Sequence, residues 1–189
     1  GSAIAWPDEY PRPELDIRLH PDLTGKAVER LRFPRASFPI PEVAESAALL
    51  CNVHLQPDSD GIYRRVRPVS VFDGQILPSL GMGLYLIDRP TTGSALSDSL
   101  LQVGERQVPL DKDGEALLRF RGPAGTHRAY SAAAVLQSEI RIRSGEAPTI
   151  DDPDAFRGKF VLVGFSAPGL FDLRPTPVGG VFSGVEIHA

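Results

Sequence analysis

Apolar residues change their spacing along the chain, and each change indicates a different kind of secondary structure. The first 40 residues contain six prolines and little periodicity, which favours extended turns. Pro41 suits the first position of a helix, and Val43, Ala47 and Leu50 follow at helical spacing. The sequence therefore predicts a helix that begins at Pro41.

After this helix, short apolar runs separated by turn residues predict strands. Asn52 to Gln56 and Ile62 to Phe72 flank the turn sequence Asp58-Ser59-Asp60-Gly61. Asp73-Gly74 predicts a two-residue hairpin, because both turn positions require positive φ. Two more turns are predicted further along, at Gly104-Glu105-Arg106 between strands 100–103 and 107–110, and at Asp111-Lys112-Asp113-Gly114.

Two serines are placed to begin helices. Ser79 predicts a helix through Asp88, and Ser131 predicts an alanine-rich helix through Ser138, since a serine side chain accepts hydrogen bonds from free backbone donors. The expected buried face of the first helix consists of Leu80, Leu84 and Ile87.

Phe160 to Val163 is continuously apolar, as strands buried on both faces are. We therefore expect an interior strand there. Together with a strand at 117–120 and the helix at 131–138, it forms a predicted βαβ unit with parallel strands. The predicted fold class is α/β, with a mostly parallel central sheet, antiparallel edge hairpins and helices on its faces.

Near the end of the sequence, Ser183 and Glu186 have the S-x-x-E spacing of a capping box. This spacing predicts a helix start shortly before Ala189. We expect this segment to be the beginning of an output helix, cut short by the end of the sequence.

Composition limits the functional classes. The chain has 189 residues and a net charge of −4, and its cationic residues occur in short groups, so nucleic acid is not an expected partner. Cys51 is the only cysteine, which excludes an intrachain disulfide. No apolar run approaches the length of a membrane span. Gly1-Ser2 resembles the scar of a cleaved tag, so the start of this sequence gives no information about a targeting signal.

Three stretches in order resemble a known family, the second type of CHASE domain. The first comprises Asn52-Val53, Pro57 to Val66 and Leu77 to Leu80. The second comprises Leu118 to Pro123 and Tyr130 to Leu136. The third comprises Phe156 to Gly164, Asp172, Thr176-Pro177 and Gly184 to Ala189. The resemblance covers residues 41–189, whereas residues 1–40 match weakly.

The resemblance implies an extracytoplasmic sensory domain, periplasmic or extracellular, that senses a small molecule or a partner protein. Its parent would be a bacterial receptor anchored by transmembrane helices, such as an adenylate cyclase, a histidine kinase of a two-component system or a serine/threonine kinase. A homodimer is compatible with this interpretation. No enzymatic activity and no cofactor are implied.

Two other classes of function remain open. Ser166, Asp172 and His188 follow the chain order of an α/β-hydrolase triad, but Pro168 occupies a position where the G-x-S-x-G turn requires glycine. Asp172 also follows the serine too soon for an intervening helix and strand. We therefore expect no catalytic residue and no hydrolytic role for Ser166. A module that recognises a partner protein is the other alternative.

Metal binding is not expected. Two D-x-D-G sequences begin at Asp58 and Asp111, but neither has the later glutamate of a calcium loop. The four histidines show no metal-ligand spacing. Hairpin turns explain both acidic sequences.

A ligand of an open α/β sheet binds beyond the carboxyl ends of its strands. Arg121 follows one predicted strand, and Ser166, Asp172 and Thr176 follow another. These four residues are the candidate ligand-binding residues, although a role in holding an irregular loop together is an equally good explanation.

Overall fold

The computed structural model describes residues 2–19, 25–90, 92–165 and 172–189. The chain divides into two compact units, Gly1–Arg119 with His188, and Phe120–Ile187 with Ala189. Helices and strands occur together, and the largest sheet is mixed, so the predicted α/β class with antiparallel hairpins is confirmed.

The first unit contains eight strands and three helices among its described residues. The strands are β1 (Ile17–Leu19), β2 (Arg65–Val66), β3 (Val69–Phe72), β4 (Gln75–Pro78), β5 (Ser94–Leu96), β6 (Leu100–Val103), β7 (Arg106–Pro109) and β8 (Ala116–Leu117). The helices are α1 (Gly25–Leu31), α2 (Pro41–Ser46) and α3 (Leu80–Asp88).

A four-stranded sheet has the order β1-β5-β6-β7, with β1 parallel to β5 and the other pairs antiparallel. The sheet is therefore mixed, not the predicted mostly parallel one, because hairpins join its last three strands. The β6–β7 hairpin confirms the predicted turn, although Gly104-Glu105 alone forms it and β7 begins at Arg106. The main core lies against this sheet, where Leu96 and Leu101 are fully buried. Burial of such aliphatic side chains stabilises the fold by roughly 1.5–3 kcal/mol each.

The predicted Asp73-Gly74 hairpin joins β3 to β4. Both residues have positive φ, 46° and 73°, as a two-residue hairpin turn requires. All four β3 residues are buried. At the end of β3, Phe72 enters a second core with Trp6, Tyr10 and Ala44. The turn thus fixes a strand that two cores share.

Helix α2 begins at Pro41 as predicted but ends at Ser46. Its buried residue is Ala44, whereas Val43 is exposed, so the predicted face of the helix is wrong. The helix ends before Leu50, so Leu50 cannot determine which face of the helix is buried. Ala44 instead packs with the aromatic residues of the second core.

Helix α3 has the predicted bounds and cap, since Ser79 Oγ accepts a hydrogen bond from Met82 N at 3.4 Å. The predicted face is wrong, because Met82, Tyr85 and Leu86 pack against the main core and Ile87 is exposed. Apolar side chains surround most of this helix, so periodicity does not identify the side that meets the sheet.

The predicted strand from Ile62 to Phe72 is divided into β2 and β3 by Arg67-Pro68. Strand β2 pairs with β8 in an antiparallel arrangement, and β8 is limited to Ala116–Leu117. The predicted strand at Asn52–Gln56 is reduced to a single bridge between Asn52 and Ser79.

The second unit contains helix α4 (Ala132–Arg143), strands β9 (Leu173–Pro175) and β10 (Val181–Ser183), and helix α5 (Gly184–His188), of which His188 belongs to the first unit. Ser131 caps α4 as predicted, with Ala134 N donating to its Oγ at 3.1 Å. The helix extends one turn beyond the predicted end at Ser138.

The predicted interior strand at Phe160–Val163 is wrong. This segment has no strand pairing, and Phe160 and Val163 are 52% and 87% exposed. The predicted βαβ unit is therefore absent from the described part of the chain. The strand that was predicted at 117–120 to run parallel to it is β8, which pairs antiparallel with β2. An apolar run forms a buried strand only where neighbouring strands satisfy its backbone groups.

Candidate ligand site and output helix

Strands β9 and β10 form an antiparallel hairpin that leads directly into α5. Arg174 lies opposite Phe182, and Leu173 lies opposite Ser183. Opposed residues of an antiparallel pair present their side chains on the same face, and residues two apart along a strand do so as well. Arg174 and Phe182 therefore share one face with Asp172, which immediately precedes β9.

Asp172 and Arg174 form an ion pair on this face. Arg174 Nη2 lies 3.3 Å from Asp172 Oδ1, and Arg174 Nη1 donates a hydrogen bond to Leu173 O at 3.3 Å. The two side chains are 31% and 25% exposed respectively. The pair is thus partly shielded but still accessible to solvent.

Thr176 follows the end of β9 and is only 6% exposed. Its Oγ1 is buried without a hydrogen-bond partner among the described residues, although its carbonyl accepts a hydrogen bond from Gly179 N at 3.4 Å. Leaving a buried hydroxyl without a partner costs roughly 1–3 kcal/mol. Such a hydroxyl has a hydrogen to donate to a water molecule or to a ligand oxygen.

The segment around Arg121 reaches the same hairpin. The rings of Phe120 and Phe182 meet edge to face, with centroids 5.5 Å apart. Arg121 itself is exposed and makes no ion pair within the described part of the chain. Of the four candidate ligand-binding residues, Asp172 and Thr176 flank β9 on either side, and Phe120, next to Arg121, packs against Phe182 of β10. Ser166 lies outside the described residues.

Helix α5 begins at Gly184, as predicted, but the predicted capping box is not formed. Ser183 makes no side-chain cap hydrogen bond. Glu186 Oε1 instead accepts a hydrogen bond from Gly125 N at 2.8 Å, and Gly184 N donates to Asp172 O at 2.8 Å. These longer-range partners replace the local ones, and they attach the first turn of α5 to two other segments of the same unit.

Close packing, rather than its backbone angles, favours glycine at position 184. A Cβ atom at this position would clash with the carboxylate of Asp172. The ion-paired aspartate therefore contacts α5 twice, through its carbonyl and through the space that its carboxylate occupies. Any rearrangement of Asp172 changes the environment of the helix start.

A separate ionic cluster lies in the first unit, between the two D-x-D-G turns. Asp58 accepts hydrogen bonds from Arg64 at 2.9 Å and from Arg65 at 2.6 Å. Arg65 also lies 3.3 Å from Asp111, so it links the two turns. Arg64 lowers the pKa of Asp60 to about 2 by hydrogen bonding. The arginines neutralise the charges of the carboxylates that a bound cation would need as ligands.

The same cluster continues to Arg67, which lies 3.5 Å from Glu115 and over the ring of Phe33. Burial raises the pKa of Glu115, with the nearby Arg67 acting in the opposite direction. No group of residues in the described ranges is arranged to bind a metal ion. The hairpin interpretation of both acidic sequences agrees with this geometry.

A shallow groove of about 230 Å³ also lies in the first unit. One wall is residues 11–14 and the other is residues 47–50. Cys51 follows the second wall, and burial raises the pKa of its thiol to about 11. The thiol is therefore protonated at neutral pH and unsuited to nucleophilic chemistry.

Sequence reasoning missed Arg174 and the partner of Glu186. Arg174 could have been found from the alternation of Asp172, Arg174 and Thr176 along an extended segment, which places three polar side chains on one face. The bond between Glu186 and Gly125 joins residues 61 positions apart. No local pattern indicates that bond.

Comparison with protein families identifies the family of the chain. A model of the CHASE2 domain family matches residues 7–189, and the chain belongs to that family. CHASE2 domains are sensory domains of signalling receptors and act outside the cell membrane. Searches of curated proteins and of solved structures gave no significant match. Within the described ranges, no helix has the length and apolar character needed to cross a membrane.

Proposed function

We propose that the chain is the extracytoplasmic sensory domain of a membrane-anchored bacterial receptor, such as a cyclase, a histidine kinase or a serine/threonine kinase. In this proposal the signal binds at the hairpin face, with Asp172, Thr176 and Arg121 as binding residues, and α5 carries the response. The observation that carries the proposal is the double attachment of α5, through Gly184 to Asp172 and through Glu186 to Gly125.

The attachment supplies a physical route from binding to output. A ligand changes an equilibrium only by the difference between its affinities for two conformations. A ligand that engages Asp172 favours the arrangement of Asp172 that binds it best, and Gly184 shares both a hydrogen bond and its packing space with that residue. The position of α5 is thereby coupled to occupancy of the face.

The experiment compares two glutamate substitutions in the full-length receptor. Glu186→Ala removes the acceptor for Gly125 N, whereas Glu139→Ala removes an exposed glutamate of α4 that pairs with Arg143 in its own helix. Output is measured as cyclase or kinase activity in membranes, at matched receptor abundance. Coupling energies between sites correspond to roughly 5- to 150-fold changes.

The proposal predicts that Glu186→Ala changes receptor output by about fivefold or more and that Glu139→Ala leaves it within twofold of wild type. Glu186→Gln, which retains an oxygen acceptor, should restore most of the wild-type output. Unchanged output in Glu186→Ala, or equal changes in both alanine variants, would contradict a role for α5.

The hydrolase alternative is tested on the isolated domain. In the described structure Asp172 is ion-paired with Arg174, which occupies the carboxylate that a catalytic histidine would need. Ser166→Ala should leave any trace hydrolysis of activated esters unchanged. A clear esterase activity that disappears in this variant would favour the hydrolase instead.

A further inference from the structure

We infer that the face formed by Asp172, Arg174 and Thr176 binds a small zwitterion of the amino-acid class, with neighbouring ammonium and carboxylate groups. The inference rests on the proposed sensory function and assigns the ligand class of the same site. Arg174, which the sequence did not indicate, becomes the central binding residue.

The first argument is the placement of unlike polar groups on one side of the hairpin. Asp172 and Thr176 flank β9 at two residues before and after Arg174, so extended alternation predicts a common side for the three. The pairing of Arg174 with Phe182 identifies that side as the one covered by the ring of Phe120. An anion, a cation and a hydroxyl thus lie within a span of five residues beside an aromatic wall.

The second argument concerns charge. Asp172 and Arg174 neutralise each other in the unliganded chain, at 3.3 Å. A simple carboxylate ligand that took over Arg174 would leave Asp172 without its partner, and a partly buried charge without a partner is costly. A ligand that carries both charges replaces the internal ion pair with two intermolecular ones, so neither charge is abandoned.

The third argument is the hydroxyl of Thr176. It is more than nine-tenths buried, and within the described ranges no group bonds to its Oγ1. A carboxylate held by Arg174 has further lone pairs to accept this hydrogen. The ligand would then accept the hydrogen of a hydroxyl for which the described residues offer no acceptor.

The nearby loop limits the size of the ligand. Gly180, in the turn between β9 and β10, lies close enough to Ala124 that an added Cβ would be 3.8 Å from the Ala124 side chain. Gly125 of the same loop is bonded to Glu186. These contacts place residues 120–125 along the hairpin, which favours a ligand of a few heavy atoms over a peptide.

The binding test uses the 189-residue chain and measures its melting temperature with each proteinogenic amino acid in turn, at millimolar concentration. For every amino acid that raises the melting temperature, two matched probes follow, the amine that lacks the carboxylate and the acid that lacks the amino group. We expect at least one amino acid to stabilise the chain and both matched probes to bind about tenfold more weakly or worse.

Substitutions then identify the residues. Arg174→Gln and Asp172→Asn should each weaken binding by about thirtyfold or more, because each leaves one ligand charge unpaired. Thr176→Val should weaken binding without lowering the melting temperature of the unliganded chain, since the hydroxyl makes no bond there. Arg128→Gln removes an exposed arginine paired with Asp152 and serves as the control with unchanged affinity.

Two results would overturn the inference. One is the absence of stabilisation by any amino acid, and the other is equal binding of an amino acid and its matched acid. Either result leaves the receptor experiment on Glu186 unaffected, so a failure of this ligand class is distinguishable from a failure of the sensory function.

Discussion

The two units of the chain are stabilised in different ways. Both apolar core clusters lie in the first unit, around the four-stranded sheet and the β3–β4 hairpin. In the second unit, the described buried apolar residues are few, namely Ala155, Phe182 and Ile187, and many contacts are polar or made by turns. Regions with few buried apolar contacts open most easily. We therefore expect the unit that contains the candidate site to rearrange at lower cost.

Two segments of similar composition show how this difference arises. Val69–Phe72 and Phe160–Val163 are both four residues long and largely apolar, but only the first is a buried strand. Asp73-Gly74 returns the chain immediately after Phe72 and supplies a paired strand, whereas none of the described strands pairs with Phe160–Val163. A nearby partner strand, rather than apolar composition, determines whether such a segment becomes a buried strand.

The largest expected effect contrasts a core position of the first unit with an exposed position of the second. Leu101→Ala should lower the free energy of unfolding by about 2–5 kcal/mol, because Leu101 is fully buried in β6. Leu136→Ala on α4, where the side chain is 65% exposed, should change it by less than about 0.5 kcal/mol. Urea unfolding measures both. Equal losses would contradict the assignment of the core to the first unit.

The next prediction concerns crowding at the start of α5. Gly184→Ala should destabilise the chain by about 1–2 kcal/mol, because the added methyl group forces the Asp172 carboxylate to move and disturbs its ion pair with Arg174. Combining it with Asp172→Ala should recover part of this loss in a double-mutant cycle. Strictly additive losses would show that the two residues do not share space.

A smaller effect separates two helix starts that look alike in sequence. Ser131→Ala should cost about 1 kcal/mol, since Ser131 Oγ accepts from Ala134 N at 3.1 Å. Ser183→Ala should cost no more than a few tenths of a kcal/mol, because Ser183 makes no such bond. Thermal unfolding of both variants at one pH is sufficient. A larger loss of stability in Ser183→Ala would instead indicate that Ser183 caps α5.

The smallest effect is a pH dependence of the first unit. The pKa of Asp60 is lowered from 3.8 to about 2 on folding, chiefly by its hydrogen bond to Arg64. Its contribution to stability is therefore present above pH 3.8 and is lost as the pH falls towards 2. In wild type, the urea midpoint should decrease as the pH is lowered from 3.8 towards 2, and Asp60→Asn should make this decrease smaller. An unchanged slope would refute the contribution of the Asp60–Arg64 pair.

Sequence alone predicted the elements that local chemistry determines. The Asp73-Gly74 turn needs positive φ at two positions, and Ser79 and Ser131 supply acceptors to donors three residues away, so each signal lies within a few residues. The family could be predicted as well, because its motifs recur in order along the chain.

What the sequence did not predict depends on distant partners. Phe160–Val163 has no neighbouring strand among the residues that the structure describes, and Glu186 bonds to Gly125 rather than to its own helix start. The candidate site contains residues that local sequence predicts and a residue that depends on a distant partner. Asp172 and Thr176 were predicted from their position after an apolar run, whereas Arg174 becomes significant only once β9 and its paired strand define a common face.

Hydrogen exchange of backbone amides tests most directly whether the loop at residues 120–125 and α5 are joined through Glu186. The account predicts that Glu186→Ala increases exchange at Gly125 and within α5, because Gly125 N loses its acceptor. Exchange in β3 and β4 should stay as in wild type. Unchanged exchange at Gly125, or an increase that extends equally to β3 and β4, would contradict the proposed connection between the ligand face and the output helix.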